Sequence, residues 1–361
     1  MNINFKRLAV TGAAVLLSSS LVACGANEAQ TGGDNGGDNG EGGSKTIALL
    51  LPESKTTRYE AFDRPMFEAK VAELCDDCEV IYFNADQDEA KQDQQVTSAI
   101  DQGASVLVLD PVNGDGAGGM VRDAQDSGAT VIAYDRFIEG ADYYMSFDNE
   151  TVGRMQGEAL VEAMGDEGGI LMLNGAPSDP NAAQFKAGAH GAIDGSGVEI
   201  LAEFDNPDWS PDNAQQWTSD QLSKYDLADV KGVYAANDGQ AGGVVAALTG
   251  AGLAKDELPP ITGQDAELAA IQRIVAGEQS MTIYKPIKIE AETAAEVAVA
   301  LVNGEDVGET EDFRGVDSFI FDPIVVTQDN VGDTVVADGF YDVGDICTDA
   351  YADACTAAGL E

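Results

Sequence analysis

The feature that most constrains the fold is a repeated alternation of short, β-branched apolar runs with longer amphipathic stretches. Strands that alternate with helices of 10–15 residues form βαβ units, and such units build parallel sheets with helices packed on both faces. In the first half of the folded region, this pattern predicts strands at 46–51, 79–83, 106–110 and 130–134, with helices at 61–74, 90–102 and 119–128.

The same alternation restarts after residue 150. It predicts strands at 169–173, 199–204, 232–235, 260–262, 280–284 and near 319–326, and helices at 151–164, 181–192, 212–225, 240–250, 267–276 and 287–303. No flexible linker separates the two halves, which favours several short crossings of the kind found in hinged proteins. We therefore predict an α/β fold of two doubly wound parallel-sheet domains joined by a three-segment hinge. The first domain would contain residues 46–146 plus 286–317, and the second residues 147–285 plus 318–345.

The N-terminus has the features of an export signal. Lys6 and Arg7 precede an apolar run at 8–17 that is too short to span a bilayer, which takes roughly 20 residues. The sequence Leu-Val-Ala-Cys24 that follows predicts a lipoprotein signal peptide over 1–24, with the lipid on Cys24; an ordinary signal peptide with a chance cysteine is the alternative. Residues 25–45 are Gly- and Asp-rich and are predicted to form a disordered tether. These features predict an extracytoplasmic protein that touches the membrane only through its lipid anchor.

The remaining cysteines support export. Once Cys24 carries lipid, four are left, and they form two local pairs, Cys75 with Cys78 and Cys347 with Cys355, the second in a tail at 346–361. The first pair could instead be a redox motif. It lies at the end of a predicted helix beside two aspartates, which would raise a thiol pKa, so we favour a structural disulfide. The one histidine of the chain is far away, and no metal site is predicted.

Charge and composition exclude several classes of function. The net charge of −45 disfavours nucleic acid, anionic membrane surfaces and anionic ligands. No nucleophile–base pair is visible, so the chain is not expected to be an enzyme or to need a cofactor. The segment 114–119 fits the glycine pattern of dinucleotide-binding loops, but it follows the third strand and contains Asp115, so we interpret it as a turn that opens a helix.

Polar and aromatic residues follow the predicted strands. In open α/β sheets ligands bind beyond the carboxyl ends of the strands, and the groups found there are Arg58, Tyr59, Asp135, Arg136, Asp179, Asn181, Trp209, Asn237, Asp238, Asp265 and Lys285. Paired donors and acceptors suit sugar hydroxyls, and aromatic faces cover the C–H face of a sugar ring. Structural alternatives remain for three of them: Asp238 as a helix N-cap, Trp209 as ordinary packing, and Arg136 as the partner of Asp135.

Five short segments of the sequence occur together in an order that is typical of one family. They are Ala133–Arg136, Ser146–Asn149, Ala236–Asp238, Gly263–Ile271 and Met281–Pro286. From about residue 47 to 340 the chain resembles the D-xylose-binding family of the type I periplasmic sugar-binding superfamily. The resemblance implies a substrate-binding protein of a sugar ABC importer, monomeric, whose partners are a monosaccharide and the permease and ATPase subunits.

The resemblance also implies a set of ligand-binding residues. In that family a pentose is held by residues that match Arg58, Asp135, Arg136, Asn181, Trp209, Asn237, Asp265 and Lys285, and Tyr59 takes the place of a neighbouring aromatic residue. The loop 52–55 departs from the family pattern, so D-xylose is the first candidate, with glucose, ribose and arabinose as alternatives. A sensor that presents the sugar to a chemoreceptor or histidine kinase is the alternative to transport.

Overall fold

Two parallel sheets, each covered by helices, organise the part of the chain that the computed structural model describes, residues 45–360. The predicted signal peptide, the lipidation site Cys24 and the tether up to residue 44 lie outside the described residues. Within 45–360, no helix is both long and apolar enough to cross a membrane.

The first sheet has seven strands. Its members are β1 (Thr46–Leu51), β2 (Glu79–Asn84), β3 (Ala104–Leu109), β4 (Thr130–Tyr134), β5 (Tyr143–Phe147), β10 (Glu311–Phe313) and β11 (Val316–Phe321), in the order β10-β11-β5-β4-β3-β1-β2. All neighbours are parallel except β10, which pairs antiparallel with β11 at the edge. Helices α1 (Arg64–Leu74), α2 (Glu89–Asp101) and α3 (Gly118–Asp126) connect the strands and pack on the two faces.

The second sheet repeats this order. Strands β6 (Gly168–Asn174), β7 (Val198–Asp205) and β8 (Val230–Ala235) pair in parallel as β7-β6-β8, and single parallel bridges at Ile261 and Ile283 continue the pairing toward β9 (Thr282–Tyr284) and its antiparallel partner β12 (Ile324–Val326). The helices are α4 (Asn149–Met164), α5 (Pro180–Ile193), α6 (Pro211–Gln221), α7 (Asp238–Gly250) and α8 (Leu268–Val275). Both sheets thus follow the 2-1-3-4-5 order of doubly wound folds.

The chain passes between the two sheets three times: after β5, after β9, and between β11 and β12. The helix after the second crossing, α9 (Ile287–Asn303), packs against strands of the first sheet through Ala291, Ala294 and Ala298. The predicted fold class is confirmed. One predicted boundary is wrong: residues 318–321 belong to β11 and pair with β5 in the first sheet, so the third crossing follows Phe321.

The C-terminal segment packs against α8 and the end of β9. It contains a π-helical turn at Gly332–Val336 and two short helices, α10 (Val343–Ile346) and α11 (Ala352–Ala357). Phe340 stacks on Phe62 with ring centroids 4.1 Å apart, and Cys355 is buried in the same apolar cluster. The segment is therefore part of the folded core.

Both predicted cysteine pairs are bonded, Cys75 to Cys78 and Cys347 to Cys355. Cys75, Asp77 and Cys78 lie close enough together to resemble a metal site. Because both sulfurs are used in the disulfide, no thiolate is available there for a metal ion. The structural interpretation of this pair is the one that the fold supports.

The structure differs from the sequence prediction in several elements. Strands β5 and β10 were not predicted, the expected strand at 260–262 is a single bridge at Ile261, and the helix expected to reach residue 225 ends at Gln221. The first predicted helix begins as a π-helical turn, Tyr59–Asp63, which continues into α1. This wider turn places Arg58 and Tyr59 directly at the carboxyl edge of the first sheet.

Candidate ligand-binding site

A cavity lies where the carboxyl ends of the two sheets face each other. The cavity is lined by Thr56, Arg58, Tyr59, Asp135, Arg136, Asp179, Asn181, Phe185, Trp209, Asn237, Gln264, Asp265 and Lys285. All nine residues of the predicted ligand-binding set line this cavity. Their role in binding stays a prediction.

Arg58 is almost completely occupied by protein carboxylates. Its guanidinium holds Asp63 through two hydrogen bonds, 3.0 Å from Nε and 2.6 Å from Nη2. A second Nη2 bond, 2.7 Å long, reaches Glu290 on α9, and Nη1 lies 3.3 Å from Asp135. Since a guanidinium has five N–H groups, one N–H of Nη1 is left for a ligand, and Arg58 acts mainly as a buried anchor.

Asp135 is at the centre of the cationic groups. Its Oδ2 accepts a 3.1 Å hydrogen bond from the Tyr59 hydroxyl. Burial raises the pKa of Asp135, but Arg58, Lys285 and Arg136 outweigh burial and lower the pKa to about 2. The carboxylate is therefore ionised at any physiological pH and remains a hydrogen-bond acceptor.

The backbone at Asp135 is in the left-handed region, with a φ of 56°. Its carbonyl oxygen accepts hydrogen bonds from Ser146 Oγ (2.7 Å) and from Asn181 Nδ2 (2.9 Å). Trp209 and Asp265 also have positive φ values, 58° and 91°. Strained backbone of this kind costs about 1–3 kcal/mol per residue and concentrates at functional sites.

Arg136 joins the two sheets. Its Nε lies 2.9 Å from Oδ2 of Asp179, which comes from the loop before α5, and 3.4 Å from Oδ1 of Asp110, at the end of β3. Its Nη1 donates to the carbonyl of Pro111 and its Nη2 to the Tyr59 hydroxyl. The alternative that Arg136 simply pairs with Asp135 does not describe this geometry.

Trp209 is held in place by both polar and apolar contacts. Its indole Nε1 donates a 3.2 Å hydrogen bond to Oδ2 of Asp179. The ring meets Phe185 edge-on at 6.4 Å between centroids and lies against the backbone of Gly175. Although it is 4% exposed and packed as a core residue would be, the ring lines the cavity.

Lys285 follows β9 and contacts acidic groups from both sheets. Its Nζ is 2.9 Å from Oδ1 of Asp265 and 3.9 Å from Oδ1 of Asp135, between the rings of Phe147 and Phe185. Burial lowers the pKa of Lys285, but the two carboxylates outweigh burial and raise it. The ammonium group is charged and compensated.

The N-cap role considered for Asp238 belongs to Asn237, which also lines the cavity. Asn237 is the N-cap of α7, because its side chain accepts a 3.0 Å bond from the backbone of Gln240. Asp238 is buried behind the cavity and accepts from Gln279, at 2.8 Å, and from Thr282, at 2.9 Å. Asp238 is thus a structural link within the second domain.

The first loop, 52–57, contributes Thr56 to the cavity lining. Glu53 is buried and accepts hydrogen bonds from the backbone N–H groups of Lys55 and Thr56, which folds the loop back on itself. Lys55 Nζ contacts Asp208 at 2.5 Å, next to Trp209 in the sequence. The loop therefore forms an ion pair between the two domains beside the cavity.

Two buried acceptors in the cavity wall have no donor among the described residues: Oδ1 of Asn181 and Oε1 of Gln264. Each residue is 2% exposed. A buried acceptor without a donor costs roughly 1–3 kcal/mol, so these atoms favour a ligand that carries hydroxyl donors. The three cations of the cavity already contact carboxylates, which disfavours an anionic ligand.

Four lining residues were not among the nine: Thr56, Asp179, Phe185 and Gln264. Asp179 was noted among the polar groups at strand ends but was not included in the ligand-binding set. Gln264 also follows a strand, and this position was the signal that could have identified it. Phe185 lies inside α5, where the sequence does not tell which helix face meets the cavity. Thr56 is in the divergent loop.

Comparison with known proteins identifies relatives of this chain. Residues 47–306 match the family model described as periplasmic binding protein domain. The D-xylose-binding periplasmic protein of Escherichia coli is 36% identical over 305 residues, which cover 82% of this chain and 90% of that protein. The multiple sugar-binding periplasmic receptor ChvE of Rhizobium radiobacter is 32% identical over 283 residues, 71% of this chain and 80% of that protein.

Solved structures show the same fold. An ABC transporter solute binding protein from Clostridium phytofermentans with bound β-D-glucose superposes with a TM-score of 0.75 at 26% identity, over 83% of this chain and 99% of that chain. A carbohydrate transporter solute binding protein from Chloroflexus aurantiacus in complex with D-glucose gives 0.74 at 27% identity, over 83% and 97%. The matching family model, the curated relatives and the two-sheet architecture together place this chain in the type I periplasmic binding protein family, whose members bind their ligands and do not transform them.

Proposed function

We propose that this protein is the extracytoplasmic sugar-binding component of an ABC importer, and that D-xylose is its preferred ligand. The observation that carries the proposal is the cavity between the two sheets, in which nine sequence-predicted residues meet. Its compensated cations and unpaired acceptors suit an uncharged polyhydroxyl ligand better than an anion or an apolar molecule.

The choice of D-xylose rests on the relatives. Both D-xylose-binding periplasmic proteins, at 36% and 35% identity, match 82% of the chain. Glucose is the second candidate, since the two structures cited above hold glucose and the ChvE receptor is described as binding multiple sugars.

Capture requires the two domains to separate and close. The lining residues Asp135, Asn181 and Asp265 are each 4% exposed or less, so a sugar cannot enter the cavity as it stands. We expect the sugar to enter an open form and to stabilise the closed form by its greater affinity for it. The closed shape is then what the permease would recognise.

A sugar panel tests the ligand. In a thermal-shift assay, D-xylose at 100 times its Kd should add about 2.7 kcal/mol to the free energy of unfolding, and glucose, ribose and arabinose should add less at equal concentration. Calorimetry then gives the Kd of each sugar. If another sugar gave the largest thermal shift, that sugar would replace D-xylose as the proposed ligand. If no sugar shifted the unfolding temperature, sugar binding would be refuted.

A variant pair tests the site. Asp265→Asn removes the carboxylate that Lys285 contacts at 2.9 Å but keeps the size of the side chain, and it should weaken sugar binding at least tenfold. Asp93→Asn makes the same change at an exposed position of α2 and should leave the Kd unchanged. Equal affinities of the two variants would show that the sugar does not bind beside Asp265.

We also propose that Cys24 carries a lipid that keeps the protein on the outer face of the cell membrane. The support is the apolar run and the small-residue box before Cys24, together with the compartment named for the relatives. In a host that processes lipoproteins, the protein should sediment with membranes, and Cys24→Ser should release it into the soluble fraction. A variant that stays on the membrane would contradict the anchor.

A further inference from the structure

Asp110, at the end of β3, is a buried carboxyl group outside the cavity lining. It is 0% exposed, and neither of its carboxyl oxygens has a hydrogen-bond donor among residues 45–360. Its backbone is fully used: its N–H donates to Leu50 and its carbonyl accepts from Gln92 on α2. A buried carboxylate without donors is costly, so this side chain needs an explanation that packing does not provide.

The charged and titratable groups around Asp110 come from three segments of the chain. Arg136 and Asp135 follow β4, Arg58 and Tyr59 follow β1, Asp179 precedes α5, and the side chain that α2 presents is the neutral Gln92. Burial raises the pKa of Asp110; Arg136 opposes this, and Asp135 and Asp179 add to it. The closed structure therefore raises the pKa of Asp110 well above its ordinary value.

Arg136 lies between two carboxyl groups that belong to different sheets. Its Nε is 2.9 Å from Asp179, on the second sheet, and 3.4 Å from Asp110, on its own sheet. When the domains separate, Asp179 moves away with the second sheet, whereas Asp110 stays beside Arg136. Asp110 is then the carboxyl that is left to pair with the arginine.

We propose that Asp110 is a positioning residue that holds Arg136 in the open form as a carboxylate, and that it takes up a proton when Arg136 pairs with Asp179 on closure around the sugar. This inference rests on the proposed sugar binding. Its consequence is that one proton enters the protein from solvent, bonded to a carboxyl oxygen of Asp110, for each sugar captured.

The sign of the effect follows from linkage. The closed, sugar-bound form binds more protons than the open form, so sugar affinity is highest at low pH and falls as pH rises. For one full proton the fall approaches tenfold per pH unit. Asp110→Asn cannot ionise, so it removes the ion pair that favours the open form and should bind sugar more tightly than the wild type at pH 8. A residue with a merely structural role would weaken binding when replaced.

Calorimetry of D-xylose or glucose, whichever binds the wild type more tightly, provides the test. Titrations at pH 6, 7 and 8, each in phosphate and in Tris, give the Kd and, from the difference in buffer ionisation heat, the protons taken up per sugar. We expect uptake by the wild type, less uptake by Asp110→Asn, and a pH dependence of affinity that is correspondingly flatter in the variant. Asp115→Asn, an exposed carboxylate five residues away, is the matched control and should behave as the wild type.

Each outcome of these titrations either supports or contradicts the inference. Identical proton uptake and pH dependence in the wild type and Asp110→Asn would overturn the inference, as would weaker binding by the variant at every pH. If the variant does not fold, zero uptake by the wild type between pH 6 and 8 overturns it alone. A wild type that binds no sugar refutes the proposed function, and the inference falls with it.

Discussion

Gly175 offers a direct test of how the cavity is built. A Cβ added at this position would lie 2.0 Å from Cη2 and 2.1 Å from Cζ2 of Trp209. Ordinary van der Waals contact begins at 3.4 Å, so the indole ring must move by at least 1.4 Å in Gly175→Ala. The ring cannot move that far and keep both its edge contact with Phe185 and its hydrogen bond to Asp179.

The magnitude follows from the displaced ring. The indole lines the cavity, and an aromatic contact contributes about 0.5–1.5 kcal/mol, so Gly175→Ala should weaken sugar binding roughly 2- to 13-fold. Calorimetry measures the Kd, and circular dichroism checks that the variant is folded. Gly191→Ala, on α5, is the control, because an added Cβ there meets no atom within 4 Å.

A double mutant isolates the mechanism. If Gly175→Ala acts by displacing the indole ring, it should cost nothing further in a protein that already carries Trp209→Ala. A folded Gly175→Ala variant with wild-type affinity would refute the reasoning, and so would an additive effect in the double mutant.

Three further predictions concern stability. Burial raises the pKa of Glu290 to about 8. The free energy of unfolding that is linked to this group is therefore highest at low pH and falls by about 1.4 kcal/mol per pH unit as pH rises toward 8. Urea titrations of Glu290→Gln should show a flatter dependence of the unfolding free energy on pH. Cys347→Ser opens a disulfide of sequence separation 8 and should lower the unfolding free energy by about 2–3 kcal/mol in the same assay. Gly153→Ala places a Cβ 1.9 Å from the carbonyl oxygen of Phe185, where α4 crosses α5, and should lower the Tm by several degrees while Gly191→Ala does not.

Much of the fold is predictable because its signals are local. Buried parallel strands are continuous apolar runs, and helices between them begin at side-chain caps such as Asp148 and Ser210, which accept bonds from backbone N–H groups three residues on. Strand β5 was missed because its five residues, Tyr143–Phe147, follow β4 without a helix, so the alternation that identified the other strands is broken there.

The site was predictable only in part, because its residues depend on partners that the local sequence does not show. Strand ends and family motifs identify residues that face the cavity, but they do not identify the counter-charges that hold those residues. Arg58 depends on Asp63, five positions away, and on Glu290, 232 positions away. The pair with Glu290 exists only after the chain has crossed between the sheets, and no local pattern encodes it.

The position of Trp209 has a practical consequence. The chain has two tryptophans, and the other, Trp217 on α6, stacks on Phe204 at 5.3 Å, outside the cavity lining. Indole emission responds to polarity and nearby charges, so one fluorophore is placed in the cavity wall and the other serves as a reference within the same molecule. In Trp217→Phe, the remaining signal would come from the cavity alone, and stopped-flow fluorescence could then follow ligand capture and release in real time, without an attached dye.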